Sequence, residues 1–493
     1  MSADPKRVPS LLQNPISLFG LFLAIVTFVA GVAMLVLESM HEQAHPYFGL
    51  FTFMVVPAVF GLSVAIVLAG MLLARRRARR RGQAPRLPVI DLGNRATLVR
   101  LGFGVVLLAA AGAIASVGAY KAYHYTESVE FCGLVCHTVM KPEHTAFQVS
   151  PHANMTCTEC HIGPGAKWFV KAKISGLHQV YAVLTDSFHR PIETPVENLR
   201  PAKETCGTCH WPQKFFGAVL RTWTYYMPDT KNSPWTIKML LNIGGGNPAH
   251  GPIQGIHWHM EGVNTVEYVA RDRKRLDIPW VKVTDQNGKV SIYQTAEAKD
   301  RLSEAELAQL PRRTMDCIDC HNRPTHHYRA PNTLMDLALS SGRVDPSLPN
   351  IKYTGAKLLA GEYETEPQAL AAIASGLNEK YAGATNLAQA VSELQLMYSQ
   401  NMFPEMKVRW SEYPDHIGHR ITPGCFRCHD GKHVNEAGQT IRNDCNVCHT
   451  ILAQGPGTAL VELTTAGLEF QHPEDIGEEW KTERCDACHT GAP

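Results

Sequence analysis

At 493 residues the chain is longer than one hydrophobic core usually supports, so several modules are expected. A net charge of +2 and the lack of a broad basic face exclude nucleic acid as a partner. The fourteen cysteines are the informative part of the composition, because one pattern uses every one of them.

The N-terminal quarter reads as a membrane anchor. Residues 8–37 carry no charge, and Ile16–Leu37 is long enough to cross a bilayer. This apolar run is longer than a signal-peptide core, and its cleavage-like Gly31-Val32-Ala33 lies inside it, so an uncleaved helix is expected. A second span runs from about Tyr47 to Leu73 with Pro57 inside it. The third is Leu101–Tyr120, where Gly112 and Ser116 stand at a small-xxx-small spacing suited to helix packing. Between the second and third lie Arg75–Arg81, Arg86, Arg95 and Arg100, and such cationic loops stay on the cytoplasmic side. That predicts a cytoplasmic N-terminus, an outward Glu38–Pro46 loop, and a periplasmic chain after Lys121.

Beyond Lys121 the cysteines fall in pairs: Cys132 and Cys136, Cys157 and Cys160, Cys206 and Cys209, Cys317 and Cys320, Cys425 and Cys428, Cys445 and Cys448, Cys485 and Cys488. The second member of each is followed by a histidine: His137, His161, His210, His321, His429, His449 and His489. Cys-x-x-Cys-His is the attachment unit of c-type haem: both thiols bond to the porphyrin vinyl groups, and the histidine becomes an axial iron ligand. The first pair has one extra residue between its thiols. Structural zinc needs four soft ligands per ion, thioredoxin-like pairs do not recur seven times, and a disulfide framework leaves the invariable histidine unexplained. Seven covalently bound haem c groups are therefore expected. Attachment of this kind belongs to the oxidising side of a bacterial inner membrane, which agrees with the arginine bias.

The segments SVEFC…CH…MKP, SPHANMTCTECH and WFVKAKISGLHQVYAV resemble the NapC/NirT/NrfH family of membrane-anchored multihaem quinol dehydrogenases, over about residues 120–215. Three spans and seven motifs make it similar to the long inner-membrane form of that family. The resemblance implies oxidation of menaquinol from the membrane quinone pool at the outer face. It also implies periplasmic c-type cytochromes or a terminal reductase as electron acceptors. The family's first motif carries a methionine ligand two residues after its histidine; here Met140 follows His137 by three, leaving His137 or Met140 as the ligand. His152 matches a position that serves as distal ligand to another haem. Lys171 or Lys173 matches the family's quinol-site lysine. Gln179 stands where its acid would be, and His178 beside it offers a proton acceptor, which quinol oxidation needs.

After the third motif, alternation in VEYVARD and WVKVTDQNGKVSIYQ predicts a β-hairpin turning at Gln286-Asn287-Gly288. IHWHM is read as a strand that puts His257 and His259 on one side, within reach of neighbouring irons. His326 and His327 follow the fourth motif, and one of them is expected to serve a neighbouring haem; His416 and His419 precede the fifth and His433 follows it, all three candidate distal ligands. Helical periodicity marks EPQALAAIASGLNEKY and NLAQAVSELQLMYSQNM as a cysteine-free insertion.

The expected fold is a multihaem cytochrome c: a three-helix transmembrane anchor with a periplasmic heptahaem domain, mostly coil and α, with a small β insertion. Its modules are the anchor 1–121, a haem module with the quinol site 122–215, a β-containing insertion with the fourth haem 216–331, a helical insertion 332–412, and a triple-haem module 413–493. The first haem receives electrons and the C-terminal haems deliver them. Two rival readings are a passive electron-wire subunit of a larger respiratory complex and a terminal reductase with one open haem. The sequence leaves open an oligomer or a larger membrane complex.

Overall fold

In the computed structural model the described residues are 14–40, 51–80, 93–163, 166–196, 199–211, 214–215, 217–244, 255–260, 264–457 and 464–493. Contacts divide the chain into two units, Met1–Met140 with Thr156–Thr158, and Lys141–Met155 with Glu159–Pro493.

The first unit is built on three long helices, α1 Pro15–Met40, α2 Val56–Arg80 and α3 Arg95–Thr126. Asn14 caps α1, its side-chain oxygen accepting from the Ser17 N–H at 2.8 Å. Helices α1 and α2 meet through small residues. A side chain on Gly20 would sit 2.9 Å from the Ser63 carbonyl, and one on Gly70 would sit 2.5 Å from the Ser17 hydroxyl. That hydroxyl donates across the pair to the Val67 carbonyl at 3.1 Å. The outer faces of both helices are apolar and exposed, as at Phe19, Phe22, Val29, Leu62 and Leu72. Pro15–Met34 and Val56–Arg80 are long and apolar enough to cross a membrane.

Pro57 lies inside the second span, as expected: Phe51–Val55 form a π-helical turn that runs straight on into α2. Proline has no N–H to give to the preceding turn, and a local π turn there accommodates it. Among the described residues nothing lies within 4 Å of where a Gly112 side chain would be, and the Ser116 hydroxyl returns to the Gly112 carbonyl at 2.8 Å. The outward loop lies largely outside the described residues, which omit 41–50.

The second unit contains two antiparallel sheets. One has the order β1-β2-β8, formed by Val219–Tyr226, Pro234–Leu241 and His449–Pro456. The other has the order β6-β3-β4-β5-β7, formed by Arg313–Thr314, Thr265–Val269, Trp280–Thr284, Val290–Thr295 and His433–Val434. Strands β4 and β5 make the expected hairpin. Gly288 has φ +78 in its turn, and the Asp285 carboxylate accepts from the Asn287 and Lys289 N–H groups at 2.8 and 2.9 Å. The β content exceeds the single small insertion that was expected. Strands β7 and β8 come from residues 413–493 and pair with β5 and β2, so that segment shares both sheets with 216–331.

Four helices form the cysteine-free insertion: α7 Pro331–Ser340, α8 Ile351–Ala360, α9 Glu366–Lys380 and α10 Leu387–Asn401. (Helices α4 to α6 carry site residues and are placed below.) Thr365 caps α9 by accepting from the Gln368 N–H, and Ala369, Ile373 and Leu377 then line one buried stripe. They meet Met335, Ile351, Leu359 and Leu394 in a core of side chains alone. Asp336 ties this core to β1: its carboxylate accepts from the Tyr226 N–H at 2.9 Å and from the buried Lys352 ammonium at 2.5 Å.

Candidate haem-binding centres

The motifs fold as single tight turns. The backbone N–H groups of His210, His321, His429 and His489 donate to the carbonyl of the first cysteine in their own motif at 2.8, 2.8, 3.0 and 2.8 Å. One helical turn thus puts both thiols and the imidazole on one face. The second motif is the short helix α5 Cys157–His161. In the first motif Phe131–Val135 is a π-helical turn, and α4 His137–Gln148 follows. A π turn holds one more residue than an α turn, so it absorbs the extra residue between Cys132 and Cys136. None of the fourteen cysteines is joined to another in a disulfide.

Neighbouring motifs touch through these thiols. Within the first unit Cys157 hydrogen-bonds Cys132, and within the second Cys206 hydrogen-bonds Cys317. The thiols of Cys320, Cys425 and Cys448 then follow within electrostatic reach of one another, and Cys445 stands near Cys485.

Six motif histidines face a second histidine ring. His161 faces His326 with ring centres 6.3 Å apart, and His210 faces His152 at 6.0 Å. His321 faces His257 at 6.4 Å, and His429 faces His259 at 5.8 Å. His449 faces His419 at 6.2 Å, and His489 faces His472 at 6.1 Å. A metal–imidazole bond of about 2 Å, plus about 1 Å from nitrogen to ring centre, sets two imidazoles across one metal with centres ~6 Å apart. Interplanar angles run from 5° to 84°, which such a site allows because each ring is free to turn about its metal–nitrogen axis.

The ring nitrogens fit the same arrangement. The Nδ1 atoms of His257, His259, His326 and His472 lie 2.6, 2.8, 3.0 and 2.8 Å from the carbonyls of Ile243, Ile256, Glu143 and Glu474. Nδ1–H bonded to a carbonyl fixes the tautomer and leaves the Nε2 lone pair for a metal. Burial lowers the pKa of His259 and His326 to about 4, and lowers those of His161, His321, His419, His449 and His489, favouring the neutral ligand form. Cysteines outside any disulfide, facing imidazoles and neutral Nε2 atoms are the donor set that covalent haem requires.

Two expected ligands behave otherwise. The His416 Nδ1 lies 3.1 Å from the Arg427 guanidinium, and its Nε2 lies 3.0 Å from the Lys274 carbonyl. The His433 Nδ1 lies 2.9 Å from the Asp430 carboxylate, and its Nε2 lies 2.7 Å from the Ile278 carbonyl. Burial works against a charge on His433, but Asp430 and that carbonyl outweigh it and raise the pKa. With both nitrogens occupied, neither ring has a lone pair for iron. His327, beside His326, pairs with Asp415 at 3.2 Å. His472, which sequence reasoning passed over, faces His489 of the seventh motif.

The IHWHM segment is a correction of a different kind. Ile256–Met260 is a 3₁₀ turn, not a strand. At three residues per turn His257 and His259 leave in different directions, which is why they reach the fourth and fifth motifs separately. The first motif stands apart: the His137 side chain lies outside the described residues, so the choice between His137 and Met140 does too.

Helix α6 Ala166–Leu184 carries the expected quinol-site residues. Lys171 and His178, seven residues apart, share one edge of it. The Lys171 ammonium lies 5.2 Å from the Trp168 ring centre. Lys173 lies across an apolar stripe on the other edge, and Gln179 on the opposite face, within 3.5 Å of the Ser175 hydroxyl. The helix sets Lys171 and His178 on one edge, two turns and about 10 Å apart, and separates Lys173 and Gln179 from that edge.

A profile of the NapC/NirT cytochrome c family, N-terminal region, matches residues 95–202. The chain is 44% identical over 498 residues to the cytochrome c-type protein ImcH of Geobacter sulfurreducens, covering 99% of this chain and 97% of that one. No solved structure matches it. The chain therefore belongs to the NapC/NirT cytochrome c family, membrane-associated electron-transfer proteins with covalently bound haem c.

Proposed function

We propose that this chain oxidises menaquinol at the outer face of a bacterial inner membrane and passes the electrons through seven c-type haems to a periplasmic cytochrome or terminal reductase. In this reading α3 is a third span, the N-terminus is cytoplasmic and the second unit is periplasmic. Haem supplies the one-electron chemistry, since its iron accepts and releases an electron without a change of ligands.

The chain's residues do the rest. The motif thiols would bind the haem covalently, and His161 and His326, His210 and His152, His321 and His257, His429 and His259, His449 and His419, and His489 and His472 would hold six of the irons. His137 or Met140 completes the first. The six facing imidazole pairs carry this reading, because a protein nitrogen stands on each side and no substrate position is left at these motifs. That favours electron transfer over a terminal reductase. Menaquinol releases two protons with two electrons; Lys171 and His178, on one helix edge, are suited to orient the quinol oxygen and take a proton.

The intact mass should exceed that of the bare chain by seven haems, and stopped-flow mixing with a menaquinol analogue should reduce them in an inhibitor-sensitive way. Reduction by dithionite but not by quinol would leave the chain a passive wire.

A further inference from the structure

The apolar stripe on α6 is the strongest unassigned feature. Val170, Ile174, Leu177, Tyr181 and Leu184 recur every three or four residues, which sets them on one face. They are between 54% and 81% exposed, and none belongs to a hydrophobic core of the second unit. A soluble protein does not ordinarily leave five large apolar side chains in a row in water. The helix is not one of the two apolar enough to cross a membrane, and Lys171, Lys173 and His178 interrupt it.

We propose that α6 lies in the plane of an anionic membrane surface, with this stripe among the acyl chains and its cations at the headgroups. Charge selects this occupant. The alternating spacing would also suit a seam with a second copy of α6, but the flanking positions Lys171, Lys173 and His178 are all basic. The sequence of α6 holds no Asp or Glu, so two copies would set like charges against each other. Anionic headgroups complement the same edges, and long lysine stems reach headgroups while their methylenes stay on apolar surface. Tyr181 within the stripe and Trp168 suit the boundary between water and lipid. The assignment rests on the family's membrane association and shares Lys171 and His178 with the menaquinol reading, but lipid labelling of the stripe tests it whether or not quinol reduces the haems.

The test is photolabelling of the full haem-loaded chain in vesicles of phosphatidylglycerol and phosphatidylcholine whose acyl tails carry a diazirine. Peptide mapping should find adducts on Val170, Ile174, Leu177, Tyr181 and Leu184 several-fold above those on Ser175, Gln179 and Ala182. Replacing phosphatidylglycerol by phosphatidylcholine should lower the α6 yield several-fold while α1 and α2 stay labelled. The proposal is overturned by adducts on α1 and α2 with none on the stripe, by equal labelling around α6, or by cross-linking of α6 to a second copy or another protein. A yield indifferent to phosphatidylglycerol overturns the headgroup role of the cations.

Discussion

At the scale of residues, the buried histidines divide by what their second nitrogen does. His472 turns Nδ1 to a carbonyl and Nε2 towards His489, so His472→Ala should open one iron. One haem equivalent should then turn high-spin and bind carbon monoxide, read in the Soret region, whereas His416→Gln should leave every haem low-spin. His416 matters to stability instead. Burial, with Arg427 beside it, lowers its pKa from 6.5 to about 4, so the folded protein refuses a proton that the unfolded chain accepts. Its contribution is complete above the unfolded pKa of 6.5 and is lost as pH falls towards 4, by up to about 3 kcal/mol. Melting temperatures of the haem-loaded protein should fall more steeply across that window in the wild type than in His416→Gln. Asp319, inside the fourth motif and 1% exposed, accepts from the Tyr268 hydroxyl at 2.6 Å and from Arg275 and Arg313 at 2.7 Å each. Asp319→Ala leaves two guanidinium groups without their shared carboxylate and should cost about 3–5 kcal/mol in denaturant unfolding.

Elements differ in how much of themselves the local sequence carries. The motif turns were legible because Cys and His four or five residues apart form one turn wherever the chain goes. The helical insertion was legible from its apolar period, and the β4–β5 hairpin from Asp285 and Gly288. The sheet β1-β2-β8 was not, since Leu241 pairs with His449 across two hundred residues and nothing near either one names the other. Distal ligands sit between these cases. That His152 and His326 face motif histidines was legible from a family position and from closeness to a motif, but His416 and His433 differ from the facing histidines only in the carbonyls and charges that folding brings to them. Helix packing in the anchor was legible only in kind. The sequence offered Gly112 and Ser116, while the contact is made at Gly20 and Gly70. Gly70→Val would push a side chain into Ser17 and should destabilise the α1–α2 pair by about 1–3 kcal/mol, seen as a lower melting temperature in detergent.

For the whole molecule, two kinds of cohesion coexist. The insertion α7–α10 has a core of ordinary side chains, with Met335, Ile351, Ile373, Leu377 and Leu394 fully enclosed. The motif regions place imidazoles and thiols where other domains place leucines, so on the proposed ligation their order would depend on the metal–ligand bonds. Expressed without haem attachment, the chain should keep one protease-resistant fragment covering about residues 331–410, while the remainder is digested. The facing pairs also cross the order of the chain. His152 precedes the second motif but faces the third, His326 follows the fourth but faces the second, and His419 precedes the fifth but faces the sixth. A chain that emerges N-terminus first therefore cannot finish its sites in the order in which they appear. On the proposed ligation the second haem would wait, with one coordination position vacant, until some 165 residues beyond its own histidine have arrived. Ligand crossing would then work as a clock on biogenesis: a product cut short before His326 would carry a reactive, gas-binding iron at the second motif, and proofreading of unfinished copies would have a chemical mark to read.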